Sequence, residues 1–232
     1  MKDAMPASRP RRRTSTLPQM QVARVTLPDE IYRQIKTMIL DGGLIPGELV
    51  TIQGLATAFG VSAMPVREAL QRLTAERALT VISGRSVGIP EVDARRLTDL
   101  SRVRVEMEGL AAEWATPHVT AADQAKLQNL VTVMATAAEA GDTRTYVRAN
   151  HDFHFTVYAA SGSETLLGTI EGIWLQVSPY FHLLHSSGNY LAANEEHKLI
   201  LKALQDGDAK ACAQHVREDI TSATRVLLSL LP

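Results

Sequence analysis

The stretch TIQGLATAFGVSAMPVREALQRL, residues 51–73, decides the reading of this chain. Thr51 is a good helix N-cap, and Leu55, Ala56 and Phe59 recur on one helical face behind it. Gly60 supplies the left-handed residue that a tight turn between two helices needs. Val61 plugs the angle. Ser62 caps a second helix, with Val66, Ala69, Leu70 and Leu73 facing inward. The segment therefore reads as a helix-turn-helix. In that motif the second helix lies in the major groove with its N-terminal residues nearest the bases. Those residues are Ser62, Ala63, Met64, Pro65 and Arg67. Arg67 can reach a guanine edge or a phosphate, and Gln71 and Arg72 lie one turn on, placed for the DNA backbone. By itself, a pair of short helices around a glycine occurs in many folds.

The flanks narrow the choice. Upstream, Pro28, Asp29 and Glu30 have the character of a helix first turn. Ile31, Ile35, Met38 and Ile39 follow on one face, and Gly42-Gly43 ends that helix. Downstream, Leu79 to Ile82 and Val87 to Ile89 are short β-branched runs around the turn Ser83-Gly84-Arg85-Ser86, which predicts a hairpin wing carrying Gly84 and Arg85. Residues 26–91 thus form a winged helix-turn-helix.

Residues 1–25 are rich in Pro, Ser, Thr and Arg, without apolar periodicity, and read as a disordered basic arm. Arg9, Arg11, Arg12, Arg13 and Arg24 either contact DNA or are simply solvated. The net charge is -1, but it is unevenly spread: residues 1–90 hold 12 Lys+Arg against 7 Asp+Glu, and residues 91–232 hold 12 against 18. A basic front and an acidic rear fit a DNA-binding head on a separate body. Residues 26–90 hold six of each sign, so the excess sits in the arm.

Beyond Val92 the pattern is helical with short breaks. Helices are predicted over 93–116, 120–140, 142–160, 163–187, 190–206 and 208–230, capped by Asp142, Ser163 and Asp208. Six helices with short connections make an antiparallel bundle, so the fold class is mainly α, with 92–232 as an all-helical domain. No apolar run approaches the ~20 residues of a membrane span, and no apolar run follows the basic N-terminus, so no secretory signal is read. The single cysteine, Cys212, excludes an internal disulfide, suits a reducing cytoplasm and reads as a small packed residue.

The seven histidines, His118, His151, His154, His182, His185, His197 and His215, all lie in the rear half. Asn150 and His154 share a helical face at i, i+4. His197 and His215 sit on two other predicted helices, and bundle helices can bring such groups to one metal. On spacing alone, a histidine on a helix is more often packed or at the surface. His118 reads as exposed, and His182 and His185 either line a pocket mouth or face solvent. Trp174 and Phe181 read as core. Arg104 and Glu108, also i, i+4, read first as a salt bridge on a solvated face.

LPDEIYRQIKTMILDGGLIPGELVTIQGLATAFGVSAMPVREALQRLTAERAL, residues 27–79, resembles the N-terminal domain of the GntR family of bacterial regulators. The helical remainder looks like the FadR-type (FCD) effector domain. The resemblance covers roughly residues 27–228. It implies a homodimeric transcription regulator on a palindromic operator, not an enzyme. It also implies a divalent metal, zinc first and nickel or another as alternatives. The ligands would be Asn150 and His154 in NHDFHFTVYAASG, His197 in NEEHKLILKAL and His215 in DAKACAQHVRED. Asn150 stands where relatives commonly carry Asp, so one negative charge is lost. In LSRVRVEMEGLAAEW, Arg104 aligns with an arginine that commonly points into the cavity, which implies an anchor for a small organic acid. The chain departs from the family in the reading helix and the wing. Ala63-Met64 replace a common Arg-Thr pair, and Gly84-Arg85 reverse a common Arg-Gly order, so the operator sequence does not carry over. Two rivals remain: a metal sensor without organic effector, and a metal-dependent enzyme, for which no HExxH-type signature is present.

Overall fold

The computed structural model describes residues 26–91, 93–184 and 189–231. The expectations placed on residues 1–25 and on His185 lie outside them. The head comprises α1 (Leu27–Leu40), β1 (Leu49–Thr51), α2 (Ile52–Phe59), α3 (Ala63–Ala75), β2 (Thr80–Ser83) and β3 (Ser86–Gly88). The body comprises α4 (Ala94–Ala115), α5 (Ala121–Ala140), α6 (Thr143–Ala159), α7 (Glu164–Val177), α8 (Asn189–Asp206) and α9 (Ala209–Leu230). The fold is mainly helical, a winged helix-turn-helix followed by a helical body. No helix among the described residues is long and apolar enough to cross a membrane.

Local chemistry sets the element ends. Thr26 and Asp29 form a reciprocal capping box at α1, and Thr120 and Asp123 form another at α5. The Thr51 hydroxyl accepts from the Gly54 N–H. Gly60 closes α2 at φ +66°. Ser62 is the N-cap residue of α3, but its side chain makes no cap hydrogen bond. Its hydroxyl stays exposed at the groove end of the helix.

Three features depart from the sequence reading. The wing has a third strand: β1 pairs antiparallel with β3, in the order β1-β3-β2. Pairing rather than alternation defines β1, whose three residues are too few to show a period. The helix predicted over 163–187 ends at Val177, and Ser178–Leu184 is a 3-10 segment. Pro179 is the cause, because it lacks an N–H and its ring crowds the carbonyl four residues back. Arg104 and Glu108 are not on a solvated face; both are buried.

The body core packs α4 and α8 against α9, and α5 against α6 and α8. Trp174, Phe153, Tyr158, Leu127, Met134 and Ile170 are fully buried in it. Cys212 is buried too, and burial pushes its thiol to about 11, which leaves it a packing residue. The head rests on the body through α1. Lys36 pairs with Glu171 at 2.7 Å, and Ser178 Oγ donates to the Ile39 carbonyl at 3.5 Å. Tyr180 donates to the Pro90 carbonyl, and Arg96 bridges the Arg77 carbonyl and Gln176.

Gly60 offers a clean test of the turn. No atom would crowd a Cβ there, so only its left-handed backbone resists substitution. Gly60→Ala is expected to destabilise the protein by about 1–2 kcal/mol in urea unfolding, with the native spectrum retained.

Candidate effector site and DNA-reading face

On α4, the buried stripe runs through Leu97, Ser101, Arg104, Glu108, Ala111, Ala112 and Ala115. Two of its inward positions are therefore charged, and they neutralise each other. Arg104 Nε donates to Glu108 Oε1 at 2.6 Å and Nη2 to Oε2 at 3.3 Å. Burial works against the guanidinium charge, and the Glu108 carboxylate more than offsets it, so the pKa of Arg104 rises. The rings of Trp174 and Phe181 lie 5.1 and 5.5 Å from the guanidinium carbon.

From Glu108 a polar chain continues across the body. Tyr158 on α6 donates its hydroxyl to Glu108 Oε2 at 2.6 Å and lies 3.0 Å from His154 Nδ1. His154 Nε2 lies 3.2 Å from His197 Nε2 on α8 and 3.4 Å from Asp219 Oδ2 on α9. His197 Nε2 is 3.9 Å from Asp219 Oδ1. All three side chains are buried. Burial, opposed by the Asp219 charge and aided by the neighbouring His154, depresses the His197 pKa to about 4, so this imidazole is neutral at neutral pH. Burial raises the Asp219 carboxyl, but its contacts with His154 and His197 and the Arg104 charge outweigh it and hold its pKa low.

This group can hold a metal ion. Two ring nitrogens and a carboxylate oxygen face one another here, so a proton or a cation has to sit between them. A tetrahedral ion with bonds of about 2.0–2.1 Å sets its ligand atoms about 3.3 Å apart, close to the 3.2 and 3.4 Å found at His154. His197 Nδ1 is buried with no hydrogen-bond partner, consistent with a ring held by its other nitrogen.

Of the four residues read as metal ligands, His154 and His197 come together and His215 does not. His215 is partly exposed, with Nδ1 3.2 Å from Glu196 Oε2. Asp219, one turn further along α9, takes the inward place that the sequence reading gave to His215. The apolar stripe of α9 runs through Cys212, Val216, Asp219, Ala223 and Leu227. A carboxylate in that stripe was the signal to follow, and His215 lies off it. Asn150 lines a cavity together with Arg104, Tyr146, His154, Phe181 and Asp219. The cavity measures about 30 Å³, room for a water or two. His118 is exposed, and His151 turns away to stack on Phe155 at 4.3 Å.

At the reading face, Ser62, Met64, Arg67, Gln71, Gly84 and Arg85 are exposed and Ala63 is half-buried. Arg67, Gln71 and Gly84 line one groove between α3 and the wing. Pro65 is buried in the head core, where it packs rather than reads. Arg72 turns back onto α1, 2.7 Å from Asp29 Oδ1 and 4.0 Å above the Tyr32 ring, so its charge braces α3 against α1.

Substitutions separate the two candidate third ligands. His197→Ala and Asp219→Ala are expected to weaken zinc binding by about a hundredfold or more, read by competition with a chromophoric chelator. His215→Ala is expected to leave it within about threefold, because a side chain outside the group contributes no bond.

Residues 27–89 match the family described as bacterial regulatory proteins, gntR family, and residues 99–222 match the FCD domain. The chain is 31% identical to the HTH-type transcriptional regulator McbR of Escherichia coli (strain K12) over 201 residues, covering 85% of this chain and 91% of that protein. It is 26% identical to the uncharacterized HTH-type transcriptional regulator YdhC of Bacillus subtilis (strain 168), over 81% of this chain and 84% of that one. The solved structure of E. coli McbR/YncC superposes with a TM-score of 0.82 at 30% identity, covering 89% of this chain and 99% of that chain. A putative transcriptional regulator GntR from Rhodococcus sp. RHA1 shares the fold, with a TM-score of 0.71 at 22% identity over 88% of this chain and 99% of that chain. These relatives are regulators, not enzymes. The chain belongs to the gntR family of bacterial transcription regulators, with a winged helix-turn-helix head and an FCD body.

Proposed function

We propose that this regulator binds operator DNA as a homodimer and that a small organic acid, held beside a divalent metal in the body, controls its operator affinity. In this reading residues 26–91 bind the DNA, and residues 92–232 take the effector and dimerise. The observation that carries it is the convergence of Arg104, Asn150, His154 and Asp219 on one buried cavity. With neutral imidazoles, Glu108 balances Arg104 and Asp219 is left as one uncompensated negative charge. A divalent ion turns that into a local charge of +1, which attracts a carboxylate. Zinc suits two imidazoles and a carboxylate with an open position; nickel or iron would fit the same donors.

The size of the cavity supplies the mechanism. At about 30 Å³ it does not admit an acid of several carbons without widening. Its wall includes Phe181 and Leu184 of the 3-10 segment and Val147 of α6. The same 3-10 segment holds the head through Ser178 and Tyr180. A side chain at Gly42, just beyond α1, would meet Val147 at 3.4 Å. Widening the cavity therefore works against the head contacts, and this is the differential affinity between two states that a switch requires. The small volume also favours a second reading, in which the metal alone is the signal.

The groove between α3 and the wing accounts for DNA reading. Arg67→Ala is expected to cost about 1–3 kcal/mol of operator affinity in gel shifts with genomic operator fragments. Arg104→Lys keeps the charge but loses the fork that grips a carboxylate. It is expected to retain operator binding and to lose the thermal stabilisation produced by small organic acids; stabilisation that survives would remove Arg104 from the effector site. Stabilisation by zinc with none by any acid would select the metal-only reading.

A further inference from the structure

Tyr158 belongs to no ligand set, yet it links the Arg104–Glu108 pair to the metal group. Its hydroxyl touches Glu108 Oε2 at 2.6 Å and His154 Nδ1 at 3.0 Å. A phenol has one proton to donate. Glu108 faces Arg104 with both oxygens and offers only lone pairs. A phenol has no other donor atom, so the 2.6 Å contact between it and the carboxylate requires the Tyr158 proton to lie in that bond. That proton points to Glu108. What remains for His154 is a lone pair on Tyr158 Oη, and the His154 Nδ1 must meet it with an N–H. A neutral imidazole carries one N–H. Its Nε2 is then bare, and Nε2 is the atom 3.2 Å from His197 Nε2 and 3.4 Å from Asp219 Oδ2.

We propose that Tyr158, oriented by Glu108, is a positioning residue that locks His154 in the Nδ1–H tautomer and so delivers a bare Nε2 to the metal. The consequence for metal affinity rests on the metal reading above; the tautomer does not. Histidine ligands commonly donate their second N–H to a carboxylate, carbonyl or water. Here a tyrosine stands between the imidazole and the carboxylate. The carboxylate it relays is itself tied to Arg104, in the wall of the cavity.

Two measurements on the full-length chain decide it. In the metal-free wild type, nitrogen-15 histidine spectra are expected to show His154 protonated at Nδ1 and bare at Nε2. Tyr158→Phe is expected to give a mixture of tautomers and to lower zinc affinity by about tenfold to a hundredfold in chelator competition, with circular dichroism unchanged. A wild-type His154 protonated at Nε2 overturns the proposal, as does a Tyr158→Phe protein with an unchanged tautomer. If the wild type binds no zinc, the metal reading fails while the tautomer still decides this one. If Tyr158→Phe does not fold, the wild-type spectrum decides it.

Discussion

The bidentate bond between Arg104 and Glu108 is the constraint on which the body is arranged. Both charges sit inside a helical core, and either one alone would cost about 3–5 kcal/mol there. Such a pair is weak evidence for stability, because apolar residues of equal volume would hold the core as well. Its role shows in what it touches. Glu108 accepts the hydrogen bond of Tyr158, Tyr158 orients His154, and His154 meets His197 and Asp219. Four helices, α4, α6, α8 and α9, contribute to one line of polar atoms. It ties the registers of those helices to one another.

The same line ends where the head begins. Trp174 packs against the Arg104 guanidinium, and the helix that carries it stops three residues later, before Pro179. The 3-10 segment that follows supplies Phe181 to the wall of the cavity and Tyr180 to the head. A proline thus produces an element that belongs to the wall of the candidate effector cavity and to the contact with the head at once. A shift of this segment is felt at both, which is the physical basis for coupling in the proposed switch.

The head was largely legible because its signals are local. Gly60, Thr51 and the inward series Val66, Ala69, Leu70 and Leu73 each act within one turn of the chain. The strand β1 was not, since it exists only through pairing with β3 some forty residues on. In the body, helix boundaries follow from Asp142, Ser163 and Asp208, but Pro179 breaks a helix whose apolar pattern runs on through it. The site was legible by half. His154 and His197 follow from the family resemblance. Asp219 follows from a simpler sign, a carboxylate in an apolar stripe, which His215 four residues earlier obscured. In sequence, Pro65 reads as a contact residue from its place at the start of the second helix, and Arg72 from lying one turn further on. Their real partners, Tyr32 and the head core, are tertiary.

The most direct test of the account is the position of a metal in the loaded protein, by anomalous diffraction from crystals grown with zinc. The account predicts a single body site bonded to His154 Nε2, His197 Nε2 and an Asp219 oxygen, with His215 outside the coordination shell. A peak bonded to His215, or one that leaves Asp219 unliganded, would contradict it.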